Sequence, residues 1–354
     1  MKKVYIVLED GHVFEGERFG AEGEVIGEFV FTTGMGAYVE TLTDPTYYGQ
    51  IVMHTFPLIG NYGIMEEDFE CDKSHLKAYV VREWCDAPSN FRCQYTLDEF
   101  LKKQGIVGVC GVDTREITRI IRDNGVMNAK ITDDPSNVDF DEIKAYKITG
   151  AVEALSTKEA YTVKAENAKK SVALVDFGKT KSIIAELTKR GCDVTVLPHN
   201  TSAEEILALG ADGIVLSNGP ADPKENTAAV EEIKKLIGKA PMLGICLGHQ
   251  LAALAMGGET VKLQYGHRGA NQPVKSLENG KTYITSQNHG YEVKADSVPG
   301  GIQSFVNAND GTCEGMSYAD KKLITTQFHP EACISPLNTH YVYDEFITMM
   351  GGND

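Results

Sequence analysis

Two short stretches hold the side chains suited to acyl transfer near neutral pH: residues 244–250 with a cysteine, and residues 327–331 with a histidine and a glutamate. Cys246 lies between Gly244 and Gly248 in the pattern G-x-C-x-G. This is the cysteine form of the G-x-S-x-G nucleophile elbow, a strained strand-to-helix turn. Glycines two residues to either side are needed because bulkier side chains would collide as the backbone reverses. The turn lifts the sulfur clear of the sheet and aims it at the positive end of the following helix, a field that favours the thiolate. A cysteine nucleophile needs a base, and the base needs an orienter. His329-Pro330-Glu331 offers both. Read as an extended segment, it projects His329 and Glu331 to the same side, so that the carboxylate accepts from the ring and fixes its tautomer.

Those residues need elements to hold them. Met242 to Ile245 is a short apolar run, read as a buried strand. Leu247 to Met256 has apolar residues at Leu247, Leu251, Leu254 and Ala255, a helical spacing that Gly257 and Gly258 stop. Leu323 to Phe328 reads as the strand leading to His329. Upstream, Val172 to Asp176, Val194 to Leu197 and Ile214 to Leu216 alternate with helical patterns, including a capping box at Ser202 to Glu205. The pattern predicts a parallel α/β sheet with ligands at the carboxyl ends of its strands. Beyond 258 come hairpins with Asn279-Gly280 and Asp310-Gly311 at their turns, then a final helix over about 337 to 349.

Gly-Ile-Cys-Leu-Gly-His-Gln at 244–250 and Gln-Phe-His-Pro-Glu at 327–331 resemble the class I glutamine amidotransferases. The resemblance implies a Cys246, His329, Glu331 triad that cleaves the side-chain amide of glutamine. The backbone N–H of Leu247, next after the nucleophile, is one expected oxyanion donor. Gly219, in the turn Ser217 to Pro223, is implied as the other. Gln250, Asn288, Gly290 and Tyr291 are implied as glutamine contacts; on residue type alone, Asn288-His289-Gly290 also reads as a plain turn. Two positions depart from the family's habit. Gly34 stands where a serine often contacts glutamine, and Ala221 where a second glycine is usual. Gly36-Ala37-Tyr38-Val39 likewise departs from the usual Thr-Gly-Tyr-Gln.

The N-terminal half mixes strands with a few helices. Asp10-Gly11 marks a hairpin tip, Thr96 to Glu99 a capping box, and Asp113 the cap of a helix whose Ile117, Ile120 and Ile121 form one apolar face. Glu40-Thr41-Leu42-Thr43-Asp44-Pro45, Ile59-Gly60-Asn61-Tyr62-Gly63, Pro88-Ser89-Asn90-Phe91-Arg92 and Val112 to Arg119 resemble the N-terminal domain of the carbamoyl-phosphate synthetase small subunit. Other class I amidotransferases lack that domain. It implies docking on a large ATP-dependent subunit that takes up the ammonia with bicarbonate. The chain thus divides into a mixed α/β domain at 1–150, a linker at 151–170 and the amidotransferase domain at 171–354.

Composition narrows the alternatives. A length of 354 residues suits two domains, and a net charge of −16 argues against nucleic acid or an anionic membrane as partner. No apolar run approaches the ~18 residues of a membrane span, and the first residues turn acidic too soon for a signal peptide. Eight cysteines without a C-x-x-C pair suggest neither a disulfide framework nor a zinc ribbon, so a reduced, cytoplasmic setting is expected. Cys246 and His249 have a C-x-x-H spacing with no second ligand pair nearby, so no metal is expected. There is no G-x-x-x-x-G-K-[ST], so ATP belongs to the partner and this chain carries no cofactor. A stand-alone cysteine hydrolase and a docking subunit with a decayed site are the rival accounts. The N-terminal half speaks against the first, and the intact Cys246, His329 and Glu331 against the second.

Overall fold

The computed structural model describes residues 2–332 and 337–351. It comprises two compact units, Met1–Thr149 with Gln264–Gly269, and Gly150–Leu263 with Ala270–Asp354.

In the first unit the strands close into a barrel in the order Lys3–Leu8, Val13–Gly20, Val107–Cys110, Ala78–Val80, Gln50–His54, Val25–Thr32 and Met127–Thr132. Closure removes the exposed edges that an open sheet would leave. The hairpin at Asp10-Gly11 forms as the sequence predicts, with Gly11 at φ 96° and the Leu8 N–H bonded to His12 O. Alternation along the strands sorts their side chains into two cores. Phe29, Phe31, Ile51 and Met53 join Ile117, Ile120 and Ile121 of the helix Thr114–Asn124. Val30, Val52 and Tyr79 join Tyr38, Leu42, Phe100 and Leu101 from the helices Tyr38–Thr43 and Leu97–Gln104. Asp113 and the Thr96–Glu99 box cap their helices. The piece Gln264–Gly269 also belongs to this unit: the Val126 N–H donates to Gln264 O, and the Tyr265 ring stacks on Phe31.

The second unit is built on a ten-stranded sheet. Five neighbouring strands run parallel: Cys192–Pro198, Lys170–Asp176, Gly213–Leu216, Met242–Ile245 and Leu323–Thr326. Antiparallel strands extend it on both sides. Both faces are covered, which is why these strands read as continuous apolar runs. Ala173 and Val175 pack with the helices Ala203–Ala208, Thr227–Leu236 and Leu247–Ala255. Val172 and Leu174 face the helices Lys181–Lys189 and Tyr341–Met349.

Three sequence expectations need correction. The stretch 151–170 carries the helix Ala151–Leu155 and the strand Tyr161–Val163, which pairs with Cys192–Pro198 at the sheet edge. Such a peripheral strand, with Tyr161 and Thr162 exposed, shows no apolar alternation to read. The last strand ends at Thr326, short of Phe328. The expected C-terminal helix splits into a 3-10 turn, Leu337–Thr339, and the α-helix Tyr341–Met349. Tight turns of this kind are common where an α-helix begins.

Candidate active site

Cys246 ends the buried strand Met242–Ile245 and begins the helix Leu247–Ala255 with φ 53° and ψ −103°. A positive φ at a residue with a Cβ is strained, and such strain gathers at functional turns. The flanking glycines are steric necessities. A Cβ on Gly244 would sit 2.8 Å from Gly248 O, and one on Gly248 would sit 2.3 Å from Leu216 O. Two backbone bonds fix the turn: the Cys246 N–H donates to Thr326 O at 2.8 Å, and the Gly248 N–H to Ser217 O at 3.1 Å. Cys246 is thereby tied to the strand before His329 on one side and to the Ser217–Gly219 turn on the other.

His329 is placed by a bridge to Ser286, whose carbonyl accepts the His329 N–H at 2.9 Å. Its Nδ1 lies 2.9 Å from Glu331 Oε1. The pair meets across a turn rather than along an extended strand, with the Ala332 N–H returning to His329 O. His329 and Glu331 do bond to each other as expected, but through a turn and not through the extended geometry expected for them. A carboxylate partner makes Nδ1 the proton-bearing nitrogen. Burial lowers the His329 pKa, and the Glu331 carboxylate and the Cys246 side chain outweigh it, so the ring is raised well above the ordinary imidazole value. With Nδ1 occupied, the remaining ring nitrogen is Nε2, which is buried and has no hydrogen-bond partner among the described residues. Catalytic hydrogen bonds often close only around substrate. The Cys246 thiol itself donates to Asn288 O at 3.8 Å.

Comparison with known proteins gives this geometry its context. The family described as "Glutamine amidotransferase class-I" matches residues 173–349, and "Carbamoyl-phosphate synthase small chain, CPSase domain" matches residues 6–131. The carbamoyl phosphate synthase small chain of Clostridium perfringens is 49% identical, over 98% of this chain and 99% of its own. That of Listeria monocytogenes serotype 4b is 47% identical over 100% and 98%, and that of Bacillus caldolyticus 47% over 98% and 96%. The chain belongs to the carbamoyl phosphate synthase small chain family. Its second unit carries the glutamine amidotransferase domain of that family.

In this small chain, the other expected site residues fall in three places. Leu247 and Gly219 lie together. Leu247 opens the elbow helix, where a first-turn N–H has no acceptor within the helix. Gly219 packs so closely that a Cβ there would meet Phe177 O at 2.5 Å and Leu247 Cδ2 at 2.6 Å. Ala221 follows at φ 70°, the left-handed region that a glycine would occupy without strain. Asn288, Gly290 and Tyr291 lie within the strand Thr282–Lys294, which replaces the plain-turn alternative. Gln250 is buried, and its Nε2 donates to Tyr291 O and to Gln327 Oε1, both at 2.9 Å. Gly34 belongs to the barrel unit, where its carbonyl accepts from His54 Nε2 at 2.9 Å. His54 Nδ1 then accepts from the Tyr79 hydroxyl at 2.8 Å.

His249 lies in the C-x-x-H spacing but turns its Nδ1 to Thr325 Oγ1 at 2.8 Å, and burial pushes its pKa down to about 3. It is a neutral packing histidine joining the elbow helix to the strand Leu323–Thr326.

Sequence reasoning missed the surroundings of Glu331. Thr180 Oγ1 lies 3.4 Å from Glu331 Oε1, and the Tyr343 hydroxyl 3.5 Å from Oε2. Asn218, fully buried beside Gly219, accepts the Thr180 N–H at 3.1 Å through Oδ1. No motif marks Thr180 or Tyr343, because they reach the site from a loop and a helix far apart in sequence.

Proposed function

We propose that this small chain is the glutaminase of a glutamine-dependent carbamoyl-phosphate synthase, and that Cys246, His329 and Glu331 perform the hydrolysis. The observation that carries the proposal is an elbow cysteine near enough to the buried His329 ring to raise its pKa, with Nδ1 of that ring held by the Glu331 carboxylate. The proton of Cys246 Sγ passes to His329 Nε2, and the sulfur attacks the amide carbon of L-glutamine. Charge on the amide oxygen is met by the N–H groups of Leu247 and Gly219. His329 then returns the proton to the departing nitrogen, and ammonia leaves. Water, activated by the same ring, hydrolyses the glutamyl thioester to glutamate and restores the thiol. The raised pKa of His329 suits a group that must hold a proton between these steps.

Gln250, Asn288, Gly290 and Tyr291 are proposed to bind glutamine, and the family resemblance adds Gly34 and Ala221 as candidate contacts. With the Gln250 amide nitrogen committed to Tyr291 and Gln327, Oε1 is the atom left to meet a substrate amine. The ammonia is proposed to pass to the large chain, which uses ATP and bicarbonate to form carbamoyl phosphate for arginine and pyrimidine synthesis in the cytoplasm. The barrel unit holds no part of the triad and is the proposed docking body.

The test is glutamate production by the isolated chain, then with the large chain, then with ATP and bicarbonate. Rates should rise on pairing, since binding of the partner would favour the active arrangement. Coupling between sites is typically ~1–3 kcal/mol. Three equal rates at saturating glutamine would instead favour a stand-alone hydrolase.

A further inference from the structure

We infer that Tyr343 and Thr180 are positioning residues that clamp both oxygens of the Glu331 carboxylate, and so set the orientation of the His329 ring. The inference rests on the glutaminase reading and adds two residues to it. Glu331 is 1% exposed and gives Oε1 to His329 at 2.9 Å. That bond engages one oxygen; contacts on both oxygens fix the plane of the carboxylate and, through it, the imidazole. Thr180 Oγ1 approaches Oε1 at 3.4 Å and the Tyr343 hydroxyl approaches Oε2 at 3.5 Å, so the group is flanked on both oxygens. Each contact is long, and each alone is modest.

Both flanking residues are themselves fixed. Tyr343 is fully buried, and burial, then the nearby Glu331 and Glu186 carboxylates, raise its pKa well above the usual phenol value. It therefore keeps its proton and can only donate to a carboxylate. The Arg190 guanidinium lies 5.4 Å from the centre of the Tyr343 ring. Arg190 is in turn bonded to Glu186, to Asp344 Oδ1 at 2.6 Å and to His340 O at 3.1 Å. On the other side, Thr180 hangs from Asn218, the residue before Gly219. The clamp thus links the proposed orienter to the turn proposed to hold the oxyanion, through side chains that need not touch substrate.

The test uses the full chain with its large subunit. Tyr343→Phe keeps the ring beneath Arg190, and Thr180→Val keeps the shape and the N–H to Asn218. Each should lower kcat for glutamine about 3- to 10-fold with KM nearly unchanged, the scale of one long hydrogen bond to an ionised group. Thr180→Ser should restore the rate. In a Glu331→Gln background neither substitution should cost anything more, because residues acting through one group are non-additive. Unchanged kcat in both variants, or full additivity with Glu331→Gln, overturns the clamp. A second readout does not depend on turnover. The Nδ1–H proton of His329 should exchange slowly with solvent in the parent chain and faster in Tyr343→Phe and Thr180→Val; equal exchange in all three also overturns it. Absence of glutamine hydrolysis by the parent complex would contradict the glutaminase reading, while the exchange measurement still decides the clamp.

Discussion

At residue 221 an alanine holds φ 70°, in the turn that carries Gly219. A left-handed backbone costs a residue with a Cβ ~1–2 kcal/mol, and glycine avoids that cost. Glycine also loosens the unfolded chain, which returns ~0.4–1 kcal/mol. Ala221→Gly should therefore stabilise the chain by about 0.5–1 kcal/mol, read as a midpoint shift in denaturant; a loss of stability would show that the turn relaxes around alanine. At this scale the elbow at Cys246 and the His329–Glu331 pair were legible, because a strained turn and a hydrogen-bonded pair each leave a short local pattern. G-x-C-x-G is dictated by the collision of a Gly248 Cβ with Leu216 O, and H-x-E by the reach of one carboxylate to one ring. Thr180 and Tyr343 were not legible, since nothing local distinguishes them from any threonine or tyrosine.

At the scale of elements, the proposed nucleophile, Cys246, depends on the junction between the strand Met242–Ile245 and the helix Leu247–Ala255. The fit leaves no room: the obstacle to a Gly248 Cβ is backbone at 2.3 Å, which no rotamer change relieves. Gly248→Ala should cost about 3 kcal/mol or more and remove activity through the geometry of the turn. A variant with near-parental stability and turnover would mean that the junction is softer than it looks. The parallel strands and their helices followed from apolar runs alternating with 3.6-residue periodicity, as in Val172 to Asp176 and the helix through Ile183 and Leu187. Barrel closure in the first unit was not legible. Its strands pair across long separations, as Ile6 does with Ile131, and no local pattern records which strands meet. The return of Gln264–Gly269 to that unit has the same cause, since its contacts with Val126 and Phe31 are long-range.

Across the whole molecule, each unit buries a neutral histidine whose proton uptake opposes folding. Burial, against the Gly34 carbonyl, pushes the His54 pKa down to about 4. In the unfolded chain the ring titrates near 6.5. Between those values the unfolded state binds the extra proton, so stability is full above pH ~6.5 and falls as the pH drops toward ~4, by up to ~1.4 kcal/mol per pH unit. His249 acts in the same sense in the second unit. The one tryptophan, Trp84, lies in the barrel unit, stacked on Phe19, and reports that unit alone. Denaturation followed by Trp84 fluorescence at pH 7 and pH 5 should show less pH dependence in His54→Gln than in the parent. An identical dependence would place the acid sensitivity elsewhere. The covalent step on Cys246 can be trapped and weighed. The parent chain, with its large subunit, is mixed with glutamine, quenched in acid during turnover and analysed by peptide mass. A Cys246 nucleophile predicts one glutamyl group, carried on the peptide containing Cys246 and absent from Cys246→Ala, which should also fail to form glutamate. A glutamyl group on another residue, or glutamate formed by Cys246→Ala at the parental rate, would contradict it.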